Sequence, residues 1–261
     1  NKNSVDTCVA EINADLDKIN NWAFNNGLCL NPKKSKYIIF FRKKIDCSEF
    51  PKCIINSSII SQVDMVKNLG ITFNSLLSWN DHINQVVGRT YCMLRVLWIS
   101  QYYTPFHIRM LLAKTYLIPT LLYGCEIFSS CDSTSFQKMS ILFNNICRYI
   151  YGVGRYNHIS HLTNNIFNMT FGNYLKMRTL LLLFNIIQSK EPKYLFDKIK
   201  FTKSNRHKQI TLFFYKRLIS ERQYFVNATQ LWNSFPYSFH FITRAKNLLF
   251  KSQYYYFKNY Y

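Results

Sequence analysis

Chemistry in a protein needs side chains that can hold charge, a metal or a proton at fixed spacing, and this chain offers few such groups. Ahead of residue 28 the acids are Asp6, Glu11, Asp15 and Asp17, none adjacent to another acid. Asp15 and Asp17 stand two apart and would point to different sides of a helix, so they cannot share one ion. A zinc set could draw on Cys125, Cys131, Cys147, His158 and His161, but the cysteines lack the short spacing that zinc sites use, and no Glu stands between the histidines. Core thiols are the expected reading, and no metal site is assigned. Neither a Gly-x-Ser-x-Gly elbow nor a phosphate-binding P-loop occurs. What the chain does offer is cations among aromatics. Lys198, Lys200, Lys203, Arg206, Lys208, Lys216, Arg217 and Arg222 interleave with Phe201, Phe213, Phe214, Tyr215 and Tyr224. Such a mixture grips phosphates and stacks unpaired bases. Aromatics at this frequency more often form core, and both readings stay open.

The balance of charge favours the first. The 261 residues carry 33 Lys and Arg against 13 Asp and Glu, a formal net charge of +20, which makes a polyanion the first partner to consider. A base composition rich in A and T would also enrich Asn, Lys, Ile, Tyr and Phe, so position matters more than the sum. Residues 1–81 hold 10 basic and 8 acidic side chains, residues 82–175 hold 7 and 2, and residues 176–261 hold 16 and 3. With 48% hydrophobic and 17% aromatic residues the chain has ample apolar surface to fold. Only 7 Gly and 6 Pro argue for helices over a turn-rich β sandwich. No apolar run approaches the roughly 20 residues of a membrane span, so no membrane partner is expected. The eight cysteines lack a CxxC pair and suit a reducing compartment, nucleus or cytoplasm, and no secretory segment stands at Asn1-Lys2-Asn3. The opening without Met reads as a fragment.

The elements that must position these groups follow from periodicity. Val5, Val9, Ile12, Leu16, Ile19 and Ala23 predict an amphipathic helix over residues 4–24, stopped by Asn25-Asn26-Gly27. A strand is expected over Lys36–Phe41, a hairpin from Cys53-Ile54-Ile55 and Ser58-Ile59-Ile60 around Asn56-Ser57, and a further strand over Asn68–Phe73, with Leu69, Ile71 and Phe73 on one face. The period then becomes helical. Ser78-Trp79-Asn80-Asp81 has capping-box spacing. Ile83, Val86, Val87, Thr90, Tyr91, Leu94, Leu97 and Trp98 trace an apolar stripe over 80–99, leaving Arg89 and Arg95 off it. Further helices are expected from Pro105, over Phe136–Tyr151 and over Asn173–Gln188, with Pro119 starting, kinking or ending a turn. The segment between the last two helices reads as polar, and the final 70 or so residues as helical. The fold class is α+β.

Several blocks, in order, resemble the reverse transcriptase of non-LTR (LINE-like) retrotransposons. Gly27-Leu28-Cys29-Leu30-Asn31-Pro32-Lys33-Lys34-Ser35-Lys36 is similar to palm motif D of that family, and Val66-Lys67-Asn68-Leu69-Gly70-Ile71-Thr72-Phe73 to motif E, the primer grip. Trp79-Asn80-Asp81-His82-Ile83 resembles the entry to the thumb, and Leu117-Ile118-Pro119-Thr120-Leu121-Leu122-Tyr123-Gly124 a second thumb segment. The stretch from Tyr224 through Leu231-Trp232-Asn233-Ser234-Phe235-Pro236 is similar to the closing signature of those reading frames. The likeness implies a partial palm over residues 1–76 (helix, strand, hairpin, strand), a helical thumb over 77–155 and a basic, aromatic-rich helical region over 156–261.

It also implies a division of labour. Polymerases of this kind hold Mg²⁺ between palm carboxylates that include an adjacent Asp pair. No such pair precedes the motif D block, so this chain is expected to carry no cofactor of its own, Mg²⁺ belonging to the intact polymerase. The resemblance places Lys34 or Lys36 where a motif D proton donor would stand, against a solvated basic loop as the alternative. Gly70 would let a primer backbone approach, or serve a bulge. Arg89, Arg95, Arg109 and Lys114, with Lys200, Lys203, Arg206, Lys208, Lys216 and Arg217, are the candidate contacts to RNA and DNA of a primer-template. The competing readings are a non-catalytic RNA- or DNA-binding protein and a non-functional relic.

Overall fold

The computed structural model describes residues 2–40, 50–128, 131–202, 209–211 and 224–234. It is an α+β arrangement, mainly helical with a few short strands, and the chain divides into two compact units, Asn1–His82 and Ile83–Tyr261.

In the first unit, helix α1 (Lys2–Asn25) buries Val9 and Ala23, and Leu16 packs with Leu30 and Tyr37 around Val9, Cys53, Ile55 and Ile60. Asn13 fastens the helix to the strands. Its side-chain amide donates to the Lys52 carbonyl at 3.3 Å and accepts from the Ile54 N–H at 3.0 Å. Gly27, at φ +70°, turns the chain off the helix as the Leu28 N–H returns to the Ala23 carbonyl at 2.8 Å. The strand expected over Lys36–Phe41 is only β1 (Lys36–Tyr37), parallel to β4 (Ser61–Gln62). Ile38, Ile39 and Phe40 lie outside the ladder, and Phe41 outside the described residues. The hairpin around Asn56-Ser57 forms as expected between β2 (Ile54–Ile55) and β3 (Ser58–Ile59), with both turn residues at positive φ.

The strand read over Asn68–Phe73 is instead a second hairpin, β5 (Met65–Asn68) against β6 (Ile71–Asn74). Leu69 (φ 47°) and Gly70 (φ 86°) form its tip, and Leu69 is 84% exposed, not inward beside Ile71. Two consecutive left-handed residues reverse the chain, which outweighs the apolar alternation. Beyond β6, Asn74 donates to Asp81 at 2.7 Å and accepts from the Ser78 N–H at 2.7 Å, while Trp79 meets Phe73 edge-on at 5.7 Å.

In the second unit, α2 (Asn80–Ile99, its first turn belonging to the first unit) buries Ile83, Val86, Thr90 and Leu94. Helix α3 (Phe106–Leu112) opens after Pro105 and passes through a π-helical turn, Ala113–Leu117, into α4 (Ile118–Leu122). Pro119 therefore lies within a continuous helical run. Its missing N–H and bulky ring would break an α-helical turn, and the widened turn just before it makes room. Thr115 and Thr120 return hydroxyls to the Leu111 and Tyr116 carbonyls at 2.9 and 2.7 Å. Short α5 (Cys125–Phe128) leads to α6 (Ser133–Tyr151), capped by Asp132 and closed by Gly152 at φ +69°. The polar segment that follows contains a helix the periodicity did not announce, α7 (Ser160–Phe167). Helix α8 (Phe171–Ser189) starts at a Thr170 cap, and α9 (Lys193–Phe196) and α10 (Tyr224–Ser234) follow.

Leu142, Phe143, Ile146, Tyr149 and Ile150 of α6 are buried with Leu117, Leu121 and Phe128. A second cluster joins Leu180, Leu183 and Phe184 to Ile210, Ala228 and Trp232. Asn233 locks that cluster, accepting from the Ile210 N–H at 3.0 Å and donating to its carbonyl at 2.9 Å. Arg178 of α8 pairs with Glu126 of α5 at 2.7 Å.

The Asp132 cap has a measurable signature. Partial burial is the largest single effect and works against the charged form, but the hydrogen bonds to Asp132, led by the Ser135 backbone N–H 3.1 Å from Oδ2 and joined by the Ser135 and Thr134 hydroxyls, together outweigh it and hold the carboxyl below its ordinary value. A depressed carboxyl stabilises the fold above its unfolded pKa and loses that contribution as pH falls through the folded one. Asp132→Ala is expected to cost about 1 kcal/mol in chemical unfolding at neutral pH. The gap to wild type should shrink on acidification through and below the usual carboxylate range. A gap that does not change with pH would remove the charge from the explanation.

Candidate nucleic-acid interface

The outward face of α2 and one strip of α6 form a groove within the second unit. On α2, Tyr91 and Trp98 stand seven residues apart, two helical turns along one face. On α6, Ile141, Asn144, Asn145 and Arg148 follow the same periodicity. With Arg155 beyond the helix end they line a groove of about 640 Å³. Tyr91 and Trp98 also flank Arg95, with Cys92 and Leu94, around a second recess of about 440 Å³. Among the described residues no acidic side chain lines either space.

Hydrogen bonds hold the groove in shape. Asn145 donates its amide to the Tyr91 hydroxyl at 2.9 Å and accepts from Arg148 at 3.3 Å, so ring, amide and guanidinium form one chain. The Arg148 Nε is buried without a partner among the described residues. Farther along the same two helices, Lys138 donates to Asn84 at 2.7 Å. Exposed aromatic faces beside cations, with no carboxylate to compete, are what a nucleic-acid strand requires: phosphates meet guanidinium groups and unpaired bases meet rings.

Of the residues singled out from sequence, Arg95 is in this region. Arg89 is exposed on α2 but does not line the groove, and Lys114 is exposed on the π-helical turn. Arg109 is half-buried, its guanidinium donating to the Tyr149 carbonyl at 3.2 Å beside Gly152, where a cation satisfies the C-terminal end of α6. Burial pushes the Tyr149 hydroxyl up, and nearby Arg109 draws it partly back. In the first unit, Lys34 and Lys36 are exposed, and Gly70 sits at the tip of the β5–β6 hairpin. Lys200 is exposed next to the bridge between Phe201 and Ile210. Lys203, Arg206, Lys208, Lys216, Arg217 and Arg222 lie outside the described residues, as do Phe213, Phe214 and Tyr215.

Tyr91, Trp98, Arg148 and Arg155 escaped the sequence reading. The apolar stripe of α2 absorbed the two rings, although each is 37% exposed. Their seven-residue spacing, repeated by Ile141 and Arg148, was the available signal.

Among the described residues no three His, Cys, Asp or Glu side chains gather, and Cys8, Cys29, Cys53, Cys92, Cys125 and Cys147 are free thiols. Cys125 and Cys147 are deeply buried, which pushes each thiol up to about 12 and leaves it protonated. His158 meets the Ser160 hydroxyl at 3.3 Å, and His161 is exposed. No helix among the described residues is long and apolar enough to cross a membrane.

The groove predicts graded losses in an anisotropy titration with single-stranded RNA. Trp98→Ala should weaken binding about tenfold through lost stacking. Arg95→Ala and Arg155→Ala should each weaken it alike across sequences and lower the salt slope by about one. Arg89→Ala, outside the groove lining, should have the smallest effect. Wild-type affinity in both Trp98→Ala and Arg155→Ala would locate binding elsewhere.

Searches against family models, curated proteins and solved structures give no match to the chain.

Proposed function

We propose that this chain is the palm-edge, thumb and C-terminal part of a non-LTR retrotransposon RNA-directed DNA polymerase, and that its task is to hold the primer-template duplex and its unpaired flank. The observation that carries the proposal is the groove of α2 and α6, lined by no acid among the described residues, with Tyr91 and Trp98 beside Arg95, Arg148 and Arg155. The order of the sequence blocks supports the family. The motif E block coincides with the β5–β6 hairpin, whose exposed Leu69-Gly70 tip suits a grip on a backbone. The Trp79–Ile83 block begins α2, the first long helix after it.

Phosphoryl transfer is assigned to another part of the parent polymerase. Two metals must bridge the attacking hydroxyl and the triphosphate, which takes convergent carboxylates. The acids here do not fit that demand. Asp6, Glu11, Asp15 and Asp17 are exposed along α1, and Asp15 is engaged by Lys18 at 2.8 Å. Lys34 and Lys36, exposed and without such partners, act at most on phosphate charge.

Primer extension on the purified chain with Mg²⁺ and dNTPs should yield no product, while an RNA–DNA primer-template should bind more tightly than to a charge-matched control protein. Template-dependent synthesis would overturn the division of labour, and binding no better than the control would overturn the clamp. A stand-alone, non-catalytic RNA- or DNA-binding protein is the second reading, favoured by the completeness of the groove within one unit. An in-frame Tyr-x-Asp-Asp turn in the coding sequence upstream of Asn1 would decide for the polymerase.

A further inference from the structure

Where α6, α7 and α8 meet there is a second cavity, of about 700 Å³, away from the residues of the groove except for Asn144. The first turn of α8 forms one side. Thr170 caps that turn by accepting from the Asn173 N–H at 3.3 Å. The backbone N–H groups of Phe171 and Gly172 are left without a partner among the described residues, as helix geometry dictates for the first positions. One further donor is unexpected. Asn173 is 6% exposed, lines the cavity, and its side-chain Nδ2 has no hydrogen-bond partner among the described residues. A buried amide donor left unmade is costly, so it calls for an acceptor. Lys176, one turn on and exposed, adds a cation to the same lining. Among the described residues no acid lines the cavity, and the nearby Asp132 carboxylate is spent on the Ser135 N–H.

The opposite wall is aromatic. Phe143 is buried behind it, stacked with Phe171 at 4.8 Å and with Phe167 at 5.3 Å, and half-buried Phe136 tilts against Phe171 at 6.1 Å. Gly172 brings the helix start against that wall, since a Cβ there would stand 3.3 Å from the Phe136 ring. Two helical N–H groups, an amide and an ammonium form an anion site at a helix N-terminus. The volume far exceeds one phosphate and falls in the range of small-molecule sites, and the remainder is faced by flat rings.

We propose that this cavity binds a nucleoside 5′-phosphate, the phosphate on the first turn of α8 with Asn173 and Lys176, and the base against the half-buried Phe136 ring. The ligand is either a free nucleotide or the 5′-phosphorylated end of a strand. The site stands independently of the retrotransposon reading, because it rests on donors and rings alone.

The full chain titrated calorimetrically with AMP, adenosine and inorganic phosphate tests it. AMP should bind more tightly than either part, by about tenfold or more, because phosphate and base contacts add. Lys176→Glu, at an exposed position, should weaken AMP by about tenfold with an unchanged thermal midpoint. Asn173→Leu should do likewise, and if that variant fails to fold, Lys176→Glu decides. Trp98→Ala, in the groove, should leave AMP binding intact. Adenosine binding as well as AMP, indifference to Lys176→Glu, loss of AMP binding in Trp98→Ala, or no saturable AMP binding up to about 5 mM would each overturn the proposal. Short RNAs with a 5′-phosphate or a 5′-hydroxyl separate the sources. Tighter binding of the phosphorylated strand than of AMP assigns the site to strand ends, and the reverse order assigns it to free nucleotide.

Discussion

The second unit depends on how α6 is buried. Met139, Leu142, Phe143, Ile146, Cys147, Tyr149 and Ile150 are all withdrawn from solvent, more than one face of a helix of 19 residues. At about 1.5–3 kcal/mol for each large apolar side chain, this is the principal gain that offsets ordering the surrounding helices. Little of the helix is left over. One strip, Ile141, Asn144, Asn145 and Arg148, faces the groove beside α2, and Phe136, Ser140 and Phe143 border the cavity beside α8. Both candidate binding surfaces run along the edges of this buried face, and they share Asn144.

A helix so deeply placed must also have its terminal carbonyls satisfied, and the solution consumes side chains that look functional in one dimension. Gln101 donates to the Tyr149 carbonyl at 2.9 Å and to the Arg148 carbonyl at 3.3 Å, Arg109 donates to the Tyr149 carbonyl, and Gly152 turns the chain away. Arg109 thus serves the fold, whereas Arg155, a few residues beyond the same helix end, is exposed at the groove. Two arginines of equal charge have different duties because one found carbonyls and the other found solvent.

The long helices were legible because periodicity and capping agree. In α6, Asp132 ahead and Gly152 behind bracket a continuous apolar period, and Asn56-Ser57 announced its hairpin for a similar local reason. Legibility failed where one signal outweighed a second that decided the structure. At Leu69-Gly70 the alternation suggested a strand, yet two left-handed residues made a turn. At Pro119 the ring suggested a break, yet a π-helical turn absorbed it. At Tyr91 and Trp98 the apolar period continued past the point where burial stopped. Asn173 gave no sign at all, since an amide in the first turn of a helix is ordinary until its neighbours are known. Trp232 and Asn233, part of the closing sequence block, proved to have packing duties, a ring in the core and an amide locking Ile210. A motif can persist for what it holds together as much as for what it touches.

Charge placement separates a folded basic surface from composition alone. Between residues 82 and 175 there are 7 basic and 2 acidic side chains, and both acids are engaged within the fold. Glu126 is 16% exposed and held by Arg178, and Asp132 caps α6. Arg89, Arg95, Lys114 and Arg155 are meanwhile exposed. A drift of composition would enrich lysine without regard to where the few carboxylates sit. Here each carboxylate in the segment is tied to an internal partner, while four of its cations are exposed. Exposed positive charge raises the rate at which a polyanion is captured. In the proposed role, the flat rings of Tyr91 and Trp98 would then supply what charge cannot, contact with bases once the backbone has been drawn in.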